Sequence, residues 1–285
     1  MDKKKEKELK IFAARIRLET VRTICKLGFG HLGGALSVVD ALAVLYGDVM
    51  RFDAENPTWE ERDLLVMSKG HAGPSLYATL ALKNFFPKDW LDTLNRPGTR
   101  LPSHCDRNLT PGIDMTTGSL GQGTSTAVGM ALGKKLDGGT NRVFLFVGDG
   151  ECNEGQVWEA AMFAAQHKLD NMIWFIDLNG KQLDGKLSDV IDLLDIRQKF
   201  EDFGFAAVSI DGHDVVAIRD AIDRVGSVKD KPGCIVLNTV KGKGVPSVEN
   251  VELNHHLRFT PDQVETIMSE AEQGLKNAEK EAFGD

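Results

Sequence analysis

A carboxylate and an amide follow two apolar runs in the middle of the sequence. Asp149 stands between glycines directly after residues 143–147, and Asn179 follows residues 172–176 thirty positions later. Short apolar runs are typical of parallel strands buried on both faces, and the carboxyl ends of such strands meet at one edge of a sheet. Mg²⁺ takes few protein oxygens and completes its shell with water and phosphate. The two side chains therefore predict a magnesium site, although an Asp-Gly or Asn-Gly pair alone is also typical of a tight turn.

The glycines around Asp149 favour a phosphate group next to this metal. They allow the backbone to come close enough for an amide N–H to reach a phosphate. The segment after Gly155 can begin a helix whose positive end points to the same place. The region thus predicts a diphosphate that the metal bridges to the protein.

Five apolar runs predict the sheet that positions these residues. Each is expected to be a strand buried on both faces, and they are Leu64–Met67, 143–147, 172–176, 206–210 and 234–237. Helical stretches separate them, which predicts an α/β fold with a doubly wound, mainly parallel sheet and helices on both faces. We expect a single domain over residues 1–285, with N-terminal helices at about 6–47 and a C-terminal helical tail at about 260–282.

Helix signals are clearest near the two ends of the chain. Apolar spacing predicts helices over 8–27 and 37–46, with a glycine-rich loop over 28–34 between them. Near the other end, Thr260 is followed by proline and, three positions on, by glutamine. This capping-box pattern predicts an amphipathic closing helix.

The composition excludes several classes of function. A chain of 285 residues with 42% hydrophobic residues can bury a substantial core, and its formal charge of −8 disfavours nucleic-acid binding. We find neither a run of about 18 apolar residues that could cross a membrane nor the apolar segment of a signal peptide. The four cysteines form no C-x-x-C pair. We therefore expect a cytoplasmic protein with reduced cysteines and no nucleic-acid or membrane partner.

Taken together, several motifs resemble those of the thiamine diphosphate-dependent transketolases. The Gly-Asp-Gly and Asn-Gly pairs resemble the two ends of the thiamine diphosphate signature. The other motifs, in chain order, are Gly30-His31-Leu32-Gly33-Gly34, Ser68-Lys69-Gly70-His71-Ala72, Thr116-Thr117-Gly118-Ser119-Leu120-Gly121-Gln122-Gly123, Glu154-Gly155, and Lys241-Gly242-Lys243-Gly244 with His255. They follow the family's order over most of the chain. The resemblance implies the diphosphate-binding (PP-type) domain of the thiamine diphosphate-binding fold.

The resemblance also implies a role for each matching residue. Asp149 and Asn179 would bind Mg²⁺, for which Ca²⁺ or Mn²⁺ could substitute, through their side chains, and Lys181 would do so through its backbone carbonyl. Cationic and N–H donors would surround the diphosphate, namely Lys69, His71, Gly150, Lys241 and His255. Gly118 and Leu120 would line the slot for the aminopyrimidine, and Ser119 between them would contribute its backbone rather than its side chain. Glu154 would lie at a subunit contact near the cofactor, or could simply be a first-turn helix residue.

The resemblance also implies that three histidines face the sugar. Histidine near neutrality can both donate and accept protons, which suits a polyol substrate. The three are His31, His104 and His255. His104 lies in Ser-His-Cys-Asp, where the family usually has Gly-His-Pro, and Asn-His-His replaces Trp-His-Gly at His255. The second departure leaves His255 or His256 open, and the spacing from the lysine motif favours His255. The remaining loop histidines, His167 and His213, are interpreted as solvated surface residues.

The implied function is that of the N-terminal subunit of a two-chain transketolase. Such an enzyme transfers a two-carbon ketol (glycolaldehyde) unit from a ketose phosphate to an aldose phosphate, with pentose phosphates as the first expectation. In the family a pyrimidine-binding domain supplies the glutamate that activates the cofactor, and no region of this sequence matches it. We therefore expect the partner to be a C-terminal transketolase subunit, in an α₂β₂ assembly.

Two alternatives remain open at this point. One is another thiamine diphosphate enzyme, such as a 2-oxoacid dehydrogenase α chain or a sugar-phosphate synthase. The other is a non-catalytic regulatory subunit that keeps the fold and binds the cofactor.

Overall fold

The computed structural model describes residues 1–284, with a five-stranded parallel sheet at the centre. The strands are β1 Phe29–Gly30, β2 Leu64–Met67, β3 Val143–Gly148, β4 Met172–Leu178, β5 Lys181–Gln182, β6 Gly185–Lys186, β7 Ala206–Asp211, β8 Gly233–Asn238 and β9 Leu257–Arg258. The α-helices are α1 Lys3–Leu27, α2 Leu32–Leu36, α3 Val39–Val44, α4 Gly73–Leu82, α5 Gln122–Leu136, α6 Gly155–Gln166, α7 Leu187–Val190, α8 Ile196–Asp202, α9 Val215–Gly226, α10 Pro246–Glu249 and α11 Pro261–Phe283. There are also 3₁₀ turns at Gly70–Ala72, Lys88–Thr93 and Gly150–Asn153 and a π turn at Leu45–Val49.

The central sheet has the strand order β2-β3-β4-β8-β7, and all neighbouring strands are parallel. Parallel neighbours require long crossovers, which the intervening helices provide. Strands β3 and β4 lie side by side, with Gly148 paired to Asp177. The predicted α/β class with a parallel sheet is confirmed, and the ends of β3 and β4 meet at one edge.

Helices cover both faces of the sheet, because successive side chains of each strand point to opposite faces. On one face Phe144 and Phe146 pack with residues of α1, α3, α4, α9 and α11, and on the other Leu145 and Val147 pack with residues of α5, α6 and α8. The prediction that every strand is buried on both faces is wrong for β7. As an outermost strand, β7 has one neighbouring strand, and its Ser209 is exposed.

The segment after α1 is more ordered than predicted. Asp2 caps α1 by accepting a hydrogen bond from the amide of Lys5 at 2.7 Å, and α1 ends at Gly28. The predicted glycine-rich loop over 28–34 contains β1, which pairs with β9, and the start of α2. The predicted helix over 37–46 is instead α3 followed directly by the π turn.

The closing helix α11 begins as its sequence predicts. The hydroxyl of Thr260 accepts from the amide of Gln263 at 3.3 Å, and the side chain of Gln263 accepts from the amide of Thr260 at 2.9 Å. This reciprocal pair satisfies two donors that a helix start otherwise leaves without partners. Helix α11 packs along α1, so that the two ends of the chain lie together.

One segment has the length and mean hydropathy of a membrane-crossing helix, although it contains Asp40 and Asp48 and is no continuous apolar run. It is Leu32–Val49, which includes α2, α3 and the π turn. Within the protein 89% of this segment is buried. The segment is part of the hydrophobic core on one face of the sheet.

Candidate active site

Residues that follow four strands line a cavity of about 450 Å³ at one edge of the sheet. Lys69 and His71 follow β2, Asp149 follows β3, Asn179 follows β4 and Lys241 follows β8. Parallel α/β sheets ordinarily bind ligands at this edge, beyond the carboxyl ends of the strands. The structure thus brings together residues that are up to 172 positions apart in the sequence.

Asp149 is 2% exposed and holds the loop that follows β4. Its Oδ1 accepts from the amide of Gly150 at 2.8 Å, and its Oδ2 accepts from the amides of Asn179 at 2.9 Å and Gly180 at 2.6 Å. The Oδ1 of Asn179 in turn accepts from the amide of Lys181 at 3.2 Å. The Asp149 carboxylate therefore lies against the backbone of the loop that carries Asn179, as their positions after adjacent strands predict, while the Asn179 side-chain amide donates to Asp177 at 2.9 Å.

The surroundings of Asp149 suit a bound cation. Burial and then the negative charge of Asp177 raise the pKa of Asp149 to about 6. A divalent ion beside these carboxylates would favour their charged forms. Within residues 1–284 no group of three or more His, Cys, Asp or Glu side chains could hold a metal. Besides the Asp149 carboxylate, an ion here would need side-chain amide and backbone carbonyl oxygens and oxygens of a bound phosphate or of water. Mg²⁺ is commonly bound in this way.

Lys241 brings a positive charge to the same part of the cavity. It is 4% exposed, and its Nζ lies 2.8 Å from the carbonyl oxygen of Lys181 and 3.1 Å from Nδ1 of His255. Burial lowers the pKa of Lys241 to about 8, although the charge of Asp149 opposes this shift. An ammonium only donates, so Nδ1 of His255 accepts and its proton is assigned to Nε2. A buried cation beside the predicted metal ligands suits a multiply charged anion such as a diphosphate.

Gly33 lets its own segment approach the backbone at Asn254 and the side chain of Lys241 closely. A Cβ at this position would lie 2.3 Å from the carbonyl oxygen of Asn254 and 3.0 Å from Cγ of Lys241. The carbonyl of Gly33 also accepts from the amide of Gly242 at 3.0 Å. Gly33, the second residue of α2, therefore helps to place the loop that carries Lys241.

Lys69 lines the cavity and forms a buried ion pair with Asp177. It is 1% exposed, and its ammonium donates to Oδ2 of Asp177 at 2.5 Å and to the carbonyl of Gly34 at 2.8 Å. Asp177 also accepts from Ser37 and Asn179 at 2.7 and 2.9 Å. Lys69 lines the cavity with its ammonium bound to these protein acceptors, and its contact with a diphosphate stays a prediction.

Histidine rings gather around His31. Its centroid lies 5.3 Å from that of His71, 5.8 Å from His104, 5.3 Å from His255 and 4.8 Å from His256. Burial, with neighbouring positive groups, lowers the pKa of His31 to about 4 and that of His255 to about 3. Burial also lowers the pKa of His71 and His104. Neutral rings can donate at one nitrogen and accept at the other, as sugar hydroxyls require.

The two consecutive histidines near the end of the chain differ in position. His255 lines the cavity and contacts Lys241. His256 is exposed, and its ring lies 6.0 Å from that of Phe29. Of the two, His255 has the position expected of the site histidine.

The other predicted residues lie in or beside the wall of the cavity. Gly118, Leu120, Gly150 and Glu154 line it, whereas Ser119 is exposed beside them and does not. The amide of Gly150 donates to the neighbouring carboxylate rather than pointing freely to the cavity. Glu154 precedes α6, makes no capping hydrogen bond and is exposed to solvent.

Two buried carboxylates that hold the site together were not predicted. They are Asp177, which is fully buried at the end of β4, and Glu151. Glu151 accepts from the hydroxyl of Ser68 at 2.5 Å and from the amides of Gly121 and Gly148 at 2.8 and 3.1 Å. Three of the loops around the cavity are thereby joined. Their position next to apolar runs was the sequence signal that could have identified them, because a carboxylate buried beside a strand needs hydrogen-bond or charged partners.

The histidines that were interpreted as surface residues have different environments. His167 is exposed at the end of α6, and its ring stacks on Phe163 with centroids 4.1 Å apart. His213 does not fit the prediction of a solvated residue. Its side chain is 12% exposed, and Nδ1 lies 2.9 Å from Oδ2 of Asp40.

Comparison with known proteins identifies relatives over most of the chain. The family described as "Transketolase, thiamine diphosphate binding domain" matches residues 9–280. The 6-deoxy-6-sulfo-D-fructose transketolase subunit SqwG of Clostridium sp. (strain MSTE9) is 50% identical over 258 residues, which are 90% of this chain and 94% of the relative. An apulose-4-phosphate transketolase subunit of Phocaeicola vulgatus is 36% identical over 276 residues, 97% and 98% of the two chains.

Solved structures show the same fold. Transketolase from Campylobacter jejuni superposes with a TM-score of 0.86 at 28% identity, covering 99% of this chain and 46% of that one. For transketolase from Leishmania mexicana the TM-score is 0.85 at 26% identity, with 96% and 45% covered. The chain spans about half the length of these solved enzymes. The predicted family is confirmed: the chain belongs to the transketolase family and carries that family's thiamine diphosphate-binding domain.

Proposed function

We propose that this chain is the cofactor-binding subunit of a two-chain transketolase, which moves a two-carbon ketol unit from a ketose to an aldose. One observation carries the proposal: a cavity of about 450 Å³ combines buried oxygen ligands, a buried lysine and several neutral histidines. The oxygens and the lysine suit a metal-bound diphosphate, and the histidines suit a polyhydroxylated sugar.

The cofactor would be held mainly by its diphosphate. Asp149, Asn179 and the carbonyl of Lys181 would hold a divalent ion, which we propose to be Mg²⁺, with Ca²⁺ or Mn²⁺ as possible substitutes. Lys241 and His71 would face the diphosphate oxygens. When bound, thiamine diphosphate supplies the nucleophilic carbon and the electron sink that ketol transfer requires.

The histidines would orient the sugar and exchange protons with its hydroxyls. His31, His104 and His255 all border the cavity and have lowered pKa values, so that their rings are neutral near pH 7. Because Nδ1 of His255 accepts from Lys241, the Nε2–H of His255 is the group left to donate to a sugar oxygen. A neutral ring can also take up a hydroxyl proton and return it later in the cycle.

A partner chain would close the open side of the cavity. Leu120 is 36% exposed there, next to Gly118 and the exposed Glu154. Both subunit relatives match nearly over their full lengths, while single-chain transketolases are about twice as long. These lengths support a separate C-terminal subunit that carries the pyrimidine-binding domain, and we propose an α₂β₂ assembly.

The donor sugar is proposed to be a ketose with an anionic group. The names of the two relatives specify a sulfonated and a phosphorylated substrate, 6-deoxy-6-sulfo-D-fructose and apulose-4-phosphate. The higher identity to the sulfofructose relative makes a sulfonated ketose the first donor to test, ahead of fructose 6-phosphate and xylulose 5-phosphate. An aldose phosphate is the proposed acceptor.

The test is a ketol-transfer assay on purified chains from a host that lacks its own transketolase. The chain should be inactive alone with excess Mg²⁺ and thiamine diphosphate, and active after mixing with a separate chain that carries the pyrimidine-binding domain. A missing proton donor or acceptor typically lowers the rate about 10²–10⁴-fold, so the chain alone should show at most a trace. Full activity without a partner would contradict the two-chain proposal.

The matched control separates catalysis from regulation. Mixing the partner with the Asp149→Asn variant should lower activity by about 100-fold or more at limiting cofactor, because the variant loses the charge that would hold the metal and has an NH₂ group in place of one oxygen that accepts from backbone amides. If the variant supported full activity, the site in this chain would not be the catalytic one, and a regulatory role would replace our proposal.

A further inference from the structure

The loop that carries Lys241 is held on both sides by residues outside the cavity. It follows β8 and has no helix or strand of its own. On one side the amide of Val240 donates to Nε2 of His213 at 2.8 Å. On the other side the carbonyl of Lys243 accepts from Nε of Arg17 at 2.8 Å. The two backbone groups that flank Lys241 are thus attached to side chains from different parts of the fold.

One carboxylate joins these two attachments. Oδ2 of Asp40 accepts from Nη2 of Arg17 at 3.0 Å and lies 2.9 Å from Nδ1 of His213. Because the amide of Val240 can only donate, Nε2 of His213 must accept, which assigns the proton of the neutral ring to Nδ1. Arg17, Asp40 and His213 therefore form a connected network, which we call the loop clamp.

The loop clamp is buried and closely packed. The side chains of Arg17, Asp40 and His213 are 13%, 10% and 12% exposed. Burial favours a higher pKa for Asp40, but the charge of Arg17 and the hydrogen bond from His213 outweigh it, and the pKa of Asp40 is lowered. At Gly244, where φ is +85°, a Cβ would lie 2.4 Å from Cδ of Arg17. The last glycine of the Lys-Gly-Lys-Gly motif thus leaves room for the clamp.

The motif around His213 fixes its ring. The carboxylate of Asp211 accepts from the amide of His213 at 2.8 Å, which forms a tight local turn. The next residue, Asp214, caps α9 by accepting from the amide of Val216 at 2.8 Å. The Asp-Gly-His-Asp sequence therefore holds the ring between the start of α9 and the Lys241 loop.

We propose that the loop clamp positions the ammonium of Lys241 for the diphosphate of the cofactor, and that His213 is a positioning residue of the site. This inference rests on the proposed function, because it gives Lys241 a diphosphate to bind. His213 does not line the cavity and acts only through the loop. Asp40 and Arg17, on α3 and α1, connect the loop to the helical layer on that face of the sheet.

The test compares thiamine diphosphate with thiamine, which has no phosphate. Both are titrated into the full chain with its partner and Mg²⁺, using the parent, His213→Phe, His213→Gln and the exposed control His167→Phe. The phenyl ring fills the same space without hydrogen bonds, whereas a glutamine amide can donate to Asp40 and accept from Val240. Loss of about one well-placed hydrogen-bonded contact predicts an about tenfold weaker Kd for thiamine diphosphate in His213→Phe. The Kd for thiamine should not change, His213→Gln should recover most of the loss, and His167→Phe should match the parent.

The outcomes separate this inference from the proposed function. A parent that does not prefer thiamine diphosphate to thiamine would overturn both. A parent with that preference and an unchanged His213→Phe would overturn the positioning role alone, as would equal losses for both ligands.

If His213→Phe does not fold, Arg17→Lys provides the decisive variant. It keeps the charge beside Asp40 but removes the guanidinium fork, and it should weaken thiamine diphosphate selectively. Unchanged selectivity in Arg17→Lys would contradict the inference.

Discussion

Charged side chains are buried at both ends of the central sheet, but the groups that surround them differ. At the amino ends of β2 and β3, Asp63 is fully buried, with its side chain between Arg51 and Arg142. Its oxygens also accept from the backbone amides of both arginines at 2.9 Å. At the carboxyl ends, Asp149 and Lys241 are also buried, and their pKa values are shifted to about 6 and about 8.

This difference distinguishes structural from functional charge. Burying a charged group costs free energy unless opposite charges and hydrogen bonds compensate for it. Around Asp63 the protein supplies the compensation itself, with two guanidinium groups on one carboxylate. Around Asp149 and Lys241 a metal and a diphosphate would supply it, and groups with strongly perturbed pKa values are candidates for such sites. The carboxyl end is therefore the part of the sheet that is prepared for a ligand.

The largest effect is expected within the histidine cluster. We expect His31→Ala to lower turnover by about 10²–10⁴-fold, because a positioned proton donor or acceptor is lost. Its Kd for thiamine diphosphate should stay close to that of the parent. His71→Ala should instead weaken cofactor binding. Steady-state kinetics and cofactor titrations on the complex with its partner measure both, and the reverse pattern would refute this division of roles.

The second prediction compares the two buried aspartates directly. Loss of a group that only supports a metal ligand costs about 10–100-fold in affinity, so Asp149→Asn should weaken Mg²⁺-dependent cofactor binding by about 100-fold or more. Asp63→Asn should lower the free energy of unfolding by about 3 kcal/mol, because two arginines lose their buried partner. Calorimetric titration and urea unfolding of both variants separate the effects. If Asp63→Asn weakened the cofactor as much as Asp149→Asn, the distinction between the two ends would fail.

The smallest effect concerns pH. The pKa of His31 is lowered to about 4 in the folded protein, from an ordinary value of 6.5. The unfolded chain therefore binds a proton below about pH 6.5 that the folded chain does not bind until about pH 4. Stability should fall as the pH decreases through this range and level off below it. Allowing for solvent screening, His31 should contribute about 1–2 kcal/mol to this loss.

Urea unfolding of the parent and His31→Gln between pH 7 and pH 4 measures this contribution. The variant should lose less stability than the parent as the pH falls. His167→Gln serves as the control, since its ring is exposed, and it should follow the parent. Identical pH dependence in His31→Gln and the parent would show that the His31 ring is not held neutral by the fold.

The sequence predicted those parts of the molecule that depend on local pattern. Apolar runs identified the five central strands, and the capping box at Thr260 identified α11. The joint position of Asp149 and Asn179 also followed from the pattern, because parallel strands end at one edge. Family motifs then directed attention to the histidines, which the fold brings within about 6 Å of His31.

What the sequence did not predict depends on partners distant in the chain. Lys69 and Asp177 are 108 positions apart, and their pairing became visible only when β2 and β4 were placed in one sheet. The environment of His213 likewise depends on Asp40, 173 positions away. The local sequence around a loop histidine or a loop lysine does not show whether the side chain is solvated or buried. Only the packing of the helical layer decides between them.

The most direct test of the account is a titration of the chain with thiamine diphosphate, with Mg²⁺ or with excess EDTA, alone and with the partner chain. We predict binding that requires Mg²⁺, is much weaker for thiamine, and is weakened by about 100-fold or more in Asp149→Asn. Cofactor and partner should strengthen each other's binding by the same factor, as linkage requires. Binding that is equal with Mg²⁺ and with EDTA, or unchanged in Asp149→Asn, would contradict the claim that the carboxyl edge of the sheet holds a metal-bound diphosphate.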